Sequence, residues 1–515
     1  MEKVRGTKYQ IFMNLIWSVI AMGLSYGINF FMTPYVSEKL GVEAYGFISL
    51  ANTLVTYIDI IAVAINAFSA RYIGIAYHNG NYKEAEKFYN SVFVANLFLV
   101  ILACIPCSFM IVRLEKIIAI PGYLTDDVKV LFALVLLNYS INLLATVFSV
   151  CAFIKNYTSI TSRNNGIAKC IYGITLFGMI YFTHIHVYYM AVANCLATLV
   201  TLVMNLYYSK KLIPKLHLDI RTFSFKNVRA LIASGIWNSI NNIGNMLNTG
   251  LDLLITNQFL SSITMGQISI AKQLANLVTA LSFQISNAFQ PKQLEAYAKG
   301  DKNELIKYLT FSMKCMGIVG GTIVAGFIAL GKQFYATWIP GQDTELLYKL
   351  TVIVMLGDVL VIVVRPLYYI NTLTDKLKCV CWITIISGLF NVIGMIVLIK
   401  IFGMGAYAIV LTTMVINSIN AFFVTPFLEA YFLELKDKYI FFRIVMRHVL
   451  TTLICTVALL LINTLLSNKA KWLIVLLNIL ILGSIGVFIM GIGECTKEER
   501  GYLVNMIKDK LTRKK

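Results

Sequence analysis

Charged residues are scarce in this chain. Asp, Glu, Lys and Arg make up 13% of its 515 residues, whereas hydrophobic residues make up 58%. A soluble domain with that balance would be unusual. The scarcity of charge therefore argues against a water-soluble protein and indicates a polytopic helical membrane protein.

Cysteine and histidine are present, but they are not grouped as disulfide partners or metal ligands would be. The 10 Cys are scattered singly, mostly in apolar stretches, so no disulfide framework or zinc site is predicted. Cys104 and Cys107 form a C-x-x-C motif within an apolar helix, where packing is the expected role. His184 and His186 lie two residues apart in an outer turn, and a metal site needs more ligands. We expect no metal and no cofactor.

A nucleotide-binding motif is also missing. Gly326-x4-Gly331-Lys332 looks like the start of a phosphate-binding loop, but Gln333 stands where Ser or Thr is required. No strand precedes this segment, which ends a membrane helix on the predicted outer face. We therefore predict no nucleotide as a partner.

Long loops outside the membrane are absent as well. No outer loop exceeds about twenty residues, whereas a typical domain has about 50 or more. A catalytic domain has nowhere to fold there, so we expect a protein that is not an enzyme. The short basic segment Met1–Lys8 precedes an apolar run without a small-residue cleavage site. We expect this run to be retained as the first span.

Apolar runs long enough to cross a bilayer follow one another along the chain. They predict an all-α polytopic membrane protein with about fourteen transmembrane helices. The runs are Ile11–Tyr35, Tyr45–Ala70, Ser91–Val112, Val128–Ile154, Ile167–Phe182, Val187–Tyr208, Leu231–Leu260, Ile263–Gln290, Leu309–Leu330, Tyr348–Leu373, Cys379–Ile399, Met404–Phe427, Val449–Leu466 and Trp472–Ile492.

Lys and Arg are distributed unevenly between the two sides of the predicted bundle. If Met1 is cytoplasmic, the inside segments include a basic connector, Ser209–Arg229, and a basic tail, whereas the outer loops carry far fewer cations. The positive-inside rule then places both termini in the cytoplasm. The net charge of +19 faces anionic lipid on this topology, so we expect no nucleic-acid partner.

An internal repeat relates two parts of the chain. Over Ile16–Lys87, residues 220 positions apart match without gaps more often than chance allows. Because six spans, an even number, separate the copies, we predict parallel repeats of the kind found in transporters. Matched pairs include Trp17 with Trp237, Gly46 with Gly266, Tyr77 with Tyr297, Gly80 with Gly300 and Glu84 with Glu304.

The repeat predicts how the chain is divided. Each half should also carry a short amphipathic loop at the cytoplasmic interface, Arg71–Phe88 in the first and Pro291–Tyr308 in the second. The predicted parts are a six-helix half at 1–208, the basic connector at 209–230, a second six-helix half at 231–433, two extra helices at 434–493 and a basic cytoplasmic tail at 494–515.

One apolar run, Leu231–Leu260, carries a stripe of polar side chains. At 100° per residue these side chains fall within an arc of roughly 80°. They cannot face lipid, so the stripe either joins helices through hydrogen bonds or lines a hydrated cavity. Its length favours the cavity, because intramembrane polar groups mark pathways. The stripe consists of Ser234, Asn238, Asn241, Asn245, Asn248, Asp252 and Thr256.

Charges within the predicted spans are the other candidates for function. Lys272 and Asp252 lie at similar depths in adjacent helices. Two interpretations stay open for this pair. It is either a structural salt bridge, or Lys272 attracts an anionic ligand with Asp252 as its resting partner.

The remaining embedded charges lie on other helices. Arg365 precedes the helix-breaking Pro366 near the predicted cytoplasmic mouth, where extension to the inner head groups is the alternative to ligand binding. Asp358 shares its face, and Asp358 or Asp59 could take up a proton if desolvated. Together with Asp252 they are the candidates for ion coupling. Lys314 is expected to extend to the cytoplasmic interface.

Short motifs in both halves resemble those of polysaccharide and O-antigen flippases. The first is Thr33-Pro34-Tyr35-Val36 followed by Leu40-Gly41-Val42-Glu43-Ala44-Tyr45-Gly46, and the second is Gly235-Ile236-Trp237-Asn238 with the later Asp252. The six-plus-six-plus-two organisation is similar to the multidrug/oligosaccharidyl-lipid/polysaccharide (MOP) exporter superfamily.

The resemblance implies a cargo and a place. The cargo would be an undecaprenyl-pyrophosphate-linked oligosaccharide, moved from the inner to the outer leaflet of a bacterial cytoplasmic membrane by alternating access for lipopolysaccharide or other surface polysaccharide. The family's central cavity is cationic, and Lys272 and Arg365 are the candidates here. The asparagine stripe would supply hydrogen bonds to the sugars. Expected partners are this lipid-linked oligosaccharide and membrane lipids, with a polysaccharide polymerase as a further candidate.

Two other functions stay open from the sequence. A cation-coupled multidrug exporter of the same superfamily would be favoured by a cavity dominated by Asp59 and Asp358. A membrane sugar polymerase or ligase normally needs a sizeable outer loop, which this chain lacks.

Overall fold

A computed structural model describes residues 7–155, 157–467, 469–496 and 499–500 of the protein. Within these ranges every regular element is a helix. The α-helices are α1 Thr7–Lys39, α2 Val42–Asn66, α3 Ser69–His78, α4 Tyr82–Val112, α5 Thr125–Ile154, α6 Thr158–Phe182, α7 Tyr189–Leu212, α8 Phe225–Asn245, α9 Asp252–Phe259, α10 Ser262–Ala298, α11 Lys302–Trp338, α12 Thr344–Val364, α13 Ile370–Leu373, α14 Leu377–Lys400, α15 Ala406–Ile419, α16 Thr425–Phe432, α17 Ile440–Asn463 and α18 Trp472–Glu494.

The predicted fold class is confirmed. All fourteen predicted apolar runs overlap long helical segments. Eleven helices in the described part of the chain are long and apolar enough to cross a membrane. The eleven do not include α1, the α8–α9 segment or α10, and the last two carry many polar side chains that lower their hydropathy.

Helices begin earlier than the apolar runs suggest because polar residues cap them. The side chain of Asn81 accepts a hydrogen bond from the backbone N–H of Glu84, at 3.2 Å, and α4 starts at Tyr82. Asp301 accepts from the N–H of Glu304 in the same way, at 2.9 Å, before α11. Such caps satisfy N–H groups that the first turn leaves open.

The two amphipathic segments predicted as loops are a helix end, a tight turn and a helix start. Gly80 and Gly300 lie 220 residues apart and both have positive φ, at 77° and 72°. Their N–H groups bond the carbonyls of Tyr77 and Tyr297, at 3.1 and 3.0 Å. The repeat found in the sequence is therefore also a repeat of backbone conformation.

The chain forms two compact units. The first contains the chain as far as Ser269 together with Cys381–Gly388, and the second contains Ile270–Val380 and the chain from Leu389 onward. The six-plus-six-plus-two division stays a prediction.

Within the first unit, α8 packs tightly against α2. A Cβ on Gly235 would lie 2.0 Å from the carbonyl oxygen of Ala64, so only glycine allows the observed approach. The hydroxyl of Ser239 donates to the carbonyl of Ile60, at 2.6 Å, in the same interface.

The basic connector is not a free linker, because it is attached to α4. Asn90 donates to the carbonyl of His217, at 2.9 Å, and accepts from the N–H of Asp219, at 3.1 Å. The hydroxyl of Ser91 accepts from the N–H of Ser224, at 2.9 Å. The connector therefore belongs to the first unit structurally.

In the second unit the two last helices pack against α11. A Cβ on Gly317 would lie 2.9 Å from Nδ1 of His448 on α17, and one on Gly321 would lie 2.3 Å from the Met490 methyl of α18. The small residues of α11 thus allow both helices to approach it closely.

Candidate substrate site

The polar stripe does not lie on one regular helix. A π-helical turn, Met246–Gly250, separates α8 from α9. The prediction of one uninterrupted helix over Leu231–Leu260 is wrong here, because a wider turn shifts the residues after it around the helix axis. Asp252 and Thr256 therefore do not continue the face of Asn238, Asn241 and Asn245.

Some members of the stripe join helices. The hydroxyls of Ser234 and Tyr72 lie 2.8 Å apart. The amide Nδ2 of Asn248 donates to the carbonyl of Thr384 on α14, at 2.9 Å, and to that of Gly244 within its own turn, at 3.0 Å. For these residues the helix-joining interpretation describes the observed contacts.

The other asparagines have no such contacts. Asn238 and Asn241 are half-buried and Asn245 is exposed. Across the ranges that the structure describes, none of their side-chain amides has a hydrogen-bond partner in the protein. Their donors and acceptors are therefore available to a polar ligand or to water.

Asp252 is completely buried in the first unit. It interacts electrostatically with Tyr57 of α2, whose hydroxyl donates to the carbonyl of Gly250. The hydroxyl of Thr256 donates to the backbone carbonyl of Asp252, at 2.6 Å. The expected pairing of Asp252 with Lys272 stays a prediction.

Asp59 lies half-buried on α2, and its carboxylate accepts a hydrogen bond from the hydroxyl of Tyr139 on α5. About two turns further along α2, Asn66 exchanges amide hydrogen bonds with the buried Asn96 of α4, at 3.0 and 3.1 Å. Polar contacts thus join α2 to α5 and to α4 within the first unit.

The second unit brings three of the predicted charges together. Asp358 on α12 interacts electrostatically with both Lys272 on α10 and Arg365. Arg365 begins a 3-10 turn with Pro366, as the helix-breaking proline predicts. Its guanidinium lies over the ring of Phe283, 4.8 Å from the centroid, and its buried Nε has no hydrogen-bond partner in the described structure. Two cations thus share one carboxylate.

Two embedded charges were not identified from the sequence. Lys169 lies eleven residues into α6, or about 16 Å along the helix, and its ammonium lies 5.4 Å from the ring centroid of Tyr172. Glu429 of α16 is 1% exposed and accepts a hydrogen bond from Asn371, at 2.7 Å. Lys169 lies near the start of the predicted span Ile167–Phe182, and Glu429 lies just beyond the end of the predicted span Met404–Phe427. Both were missed for this reason, and the lengths of the helices were the only signal that could have found them.

Comparison with known proteins identifies the family. The model of a family described as "Polysaccharide biosynthesis protein" matches residues 11–292, more than half of the chain. The chain belongs to this family. A relative of unknown role, the membrane protein EpsK of Bacillus subtilis (strain 168), is 25% identical to it over 398 residues, which cover 77% of the chain and 79% of EpsK.

Solved structures of two transporters have a fold similar to that of this chain. The lipid II flippase MurJ in an inward closed conformation aligns with a TM-score of 0.67 at 14% identity, covering 92% of this chain and 98% of MurJ. An inward-facing multidrug resistance MATE transporter of the MOP superfamily aligns with a TM-score of 0.63 at 13% identity, covering 84% and 98%. The family model thus shows membership of a polysaccharide biosynthesis family, and the fold is similar to the folds of these two transporters.

Proposed function

We propose that this protein is a secondary transporter that flips an undecaprenyl-pyrophosphate-linked oligosaccharide from the inner to the outer leaflet of a bacterial cytoplasmic membrane. Transport would proceed by alternating access and would supply surface polysaccharide such as O-antigen. Family membership and the fold support transport rather than catalysis. A polysaccharide polymerase would use the delivered glycan.

The observation that carries this proposal is the pair of cations beside Asp358. Lys272 and Arg365 both interact electrostatically with this carboxylate. Charged groups are costly within a membrane, so their presence there marks a site for a ligand or an ion. A pyrophosphate carries the complementary charge, and the planar guanidinium suits its oxygens.

The asparagines would recognise the glycan. A sugar presents many hydroxyl groups, each able to donate and accept. Asn238, Asn241 and Asn245 offer both functions from amides that have no hydrogen-bond partner among the described residues. Asn248 would contribute through its carbonyl oxygen, because its amino group already bonds to backbone carbonyls.

The carboxylates would couple transport to an ion. Protonation of Asp358 would remove the anion that competes with the cargo for Lys272 and Arg365, and so would strengthen pyrophosphate binding. Ion release would reverse this effect. Asp59 and Asp252 are the corresponding candidates in the first unit, where each contacts a tyrosine.

The test is delivery of glycan to the surface of a bacterial strain that lacks its own flippase, normalised to the amount of protein in the membrane. Lys272→Gln and Arg365→Gln should each reduce delivery at least about tenfold, whereas Lys272→Arg should retain part of it. Lys349→Gln, which removes an exposed cation that pairs with Glu345, is the control and should have no effect.

Double variants separate binding from structure. Replacing Lys272 alone would leave Asp358 or Asp252 buried without its cation, and this by itself destabilises the protein. Lys272→Gln combined with Asp358→Asn, and separately with Asp252→Asn, should restore protein level but not delivery. Full delivery by either uncharged pair would show that Lys272 serves only the structure.

One observation favours the alternative of a cation-coupled multidrug exporter. Asp59 and Tyr139 form an acid–aromatic pair, as a site for cationic drugs would require. Expression in a drug-sensitive strain tests it. Resistance that depends on Asp59 but not on Lys272 would favour export of drugs over the flippase proposal.

A further inference from the structure

A cavity of about 280 Å³ opens at one end of the second unit, away from the charges assigned above. On the predicted topology this end is cytoplasmic, because α11 and α17 begin there and α18 ends there. The cavity is lined by Thr310, Lys314, Ile440, Arg443, Ile444, Arg447 and Glu494.

Cations dominate the lining. Among the described residues that line the cavity, Lys314, Arg443 and Arg447 are cationic and Glu494 is the one carboxylate. This carboxylate is 1% exposed, and its Oε1 lies 2.8 Å from Nδ1 of the buried His448. Glu494 is therefore held in place by His448, and its single negative charge is smaller than the charge of the three cations in the lining.

The cations are held in place by neighbouring groups. Lys314, with 12% of its side chain exposed, pairs with Glu499 at 2.7 Å. Arg443 pairs with Asp437. Arg447 donates from its Nε to the carbonyl of Gly493, a neutral partner.

Arg447 consequently keeps both its charge and part of its binding capacity. In the described part of the chain its terminal Nη groups have no hydrogen-bond partner. A guanidinium fixed through Nε presents these two groups as a pair. That geometry matches two oxygens of a phosphate.

The face of α17 beyond the cavity is apolar. At 100° per residue, Arg443 and Arg447 lie within about 80° of four residues further along the helix. These four are exposed by between 50% and 66%. They are Leu450, Ile454, Val457 and Leu461.

The cavity and the apolar face of α17 together match the size of a phospholipid. From Leu450 to Leu461 the helix rises about 16 Å, close to half of a hydrocarbon core of about 30 Å. A lipid whose head group lies in the cavity would therefore place its acyl chains along this apolar face, which is about as long as one leaflet is deep. Free phosphate would use the cations but not this face.

We propose that the cavity binds the phosphate of an anionic phospholipid, with Arg447 as its main ligand, Arg443 and Lys314 as supporting cations and α17 as the acyl-chain surface. Basic pockets between helices on the cytoplasmic side are suited to such head groups. The site is separate from the transport proposal and does not depend on it. If Arg443 and Arg447 only extended their side chains to the membrane interface, the protein would not bind one kind of lipid in preference to another.

Native mass spectrometry of the full-length protein tests the proposal. The purified protein in non-ionic detergent would be titrated with phosphatidylglycerol, with phosphatidylcholine and with inorganic phosphate. We expect retention of phosphatidylglycerol in preference to phosphatidylcholine. Arg447→Gln should weaken phosphatidylglycerol binding about tenfold, and Arg447→Lys should weaken it less.

Controls make each outcome decisive. Arg71→Gln removes an exposed arginine from α3 and should leave binding unchanged. Arg443→Gln lies at an exposed position and keeps the test valid if Arg447→Gln does not fold. Equal retention of both lipids, or unchanged binding in Arg447→Gln and Arg443→Gln, would overturn the proposal. Displacement of phosphatidylglycerol by millimolar inorganic phosphate would identify a free-phosphate site instead.

Discussion

Gly46 and Gly266, which occupy the same position in the two copies of the repeat, pack against each other. A Cβ on Gly46 would lie 2.8 Å from the backbone nitrogen of Gly266. A Cβ on Gly266 would lie 2.1 Å from the carbonyl oxygen of Val42. The start of α2 and the start of α10 therefore meet backbone to backbone, within the first unit.

Gly266→Ala should destabilise the protein, because the new methyl group would overlap backbone atoms that cannot move aside. We expect a loss of about 1–3 kcal/mol, measured as a lower thermal unfolding temperature in detergent. Gly326→Ala is the matched control, since its Cβ would have no atom within 4 Å. It should be neutral or stabilising, and equal losses in the two variants would contradict the packing described.

His448 and Glu494 should stabilise the attachment of α17 to α18. His448→Leu would leave the Glu494 carboxylate buried without its partner, at a cost of about 3 kcal/mol or less. Adding Glu494→Leu removes the stranded group and should recover part of the unfolding temperature. A double variant that is no more stable than the single one would show that the pair does not act through hydrogen bonding.

Single cysteines in the stripe should differ in reactivity towards a small water-soluble thiol reagent, in a background without native cysteines. Asn238→Cys and Asn245→Cys should react, because the amides of Asn238 and Asn245 have no hydrogen-bond partner in the part of the chain that the structure describes. Asn248→Cys should react more slowly, because this side chain faces the carbonyl of Thr384. Leu251→Cys and Leu254→Cys are the controls. Equal labelling at all positions would mean that the face is wrongly assigned.

Both chain termini should be cytoplasmic, because Lys and Arg concentrate in the connector and the tail. Reporter fusions after Lys515 and within 210–226 should report the inside. The second fusion also tests the connector, whose residues are attached to α4 and so must lie on the side where α4 begins. A reporter found outside at either position would reverse the topology.

The helical architecture could be predicted because bilayer thickness sets the length of an apolar run. The ends of the helices could not be predicted, because polar caps and buried charged residues extend the helices beyond the apolar runs. Asn81 starts α4 well before Ser91, and Glu429 lies beyond the predicted span end at Phe427 but inside α16. The end of a helix depends on single side chains, whereas the presence of a membrane span depends on the average hydropathy of many residues.

The candidate site was predictable in composition but not in pairing. An embedded cation is visible in sequence, yet its partner depends on tertiary packing. The structure places Lys272 in the electrostatic environment of Asp358, on a helix about ninety residues away. The π-helical turn at Met246–Gly250 was equally hidden, because no residue type signals one extra residue per turn.

The matching turns at Gly80 and Gly300 bear on how the protein is made. Each turn has a glycine with positive φ followed by a side chain that caps the next helix, Asn81 in the first turn and Asp301 in the second. These contacts are local in sequence, so each can form as soon as a few residues have left the ribosome. The two turns can therefore form independently of each other, before contacts between distant helices are made.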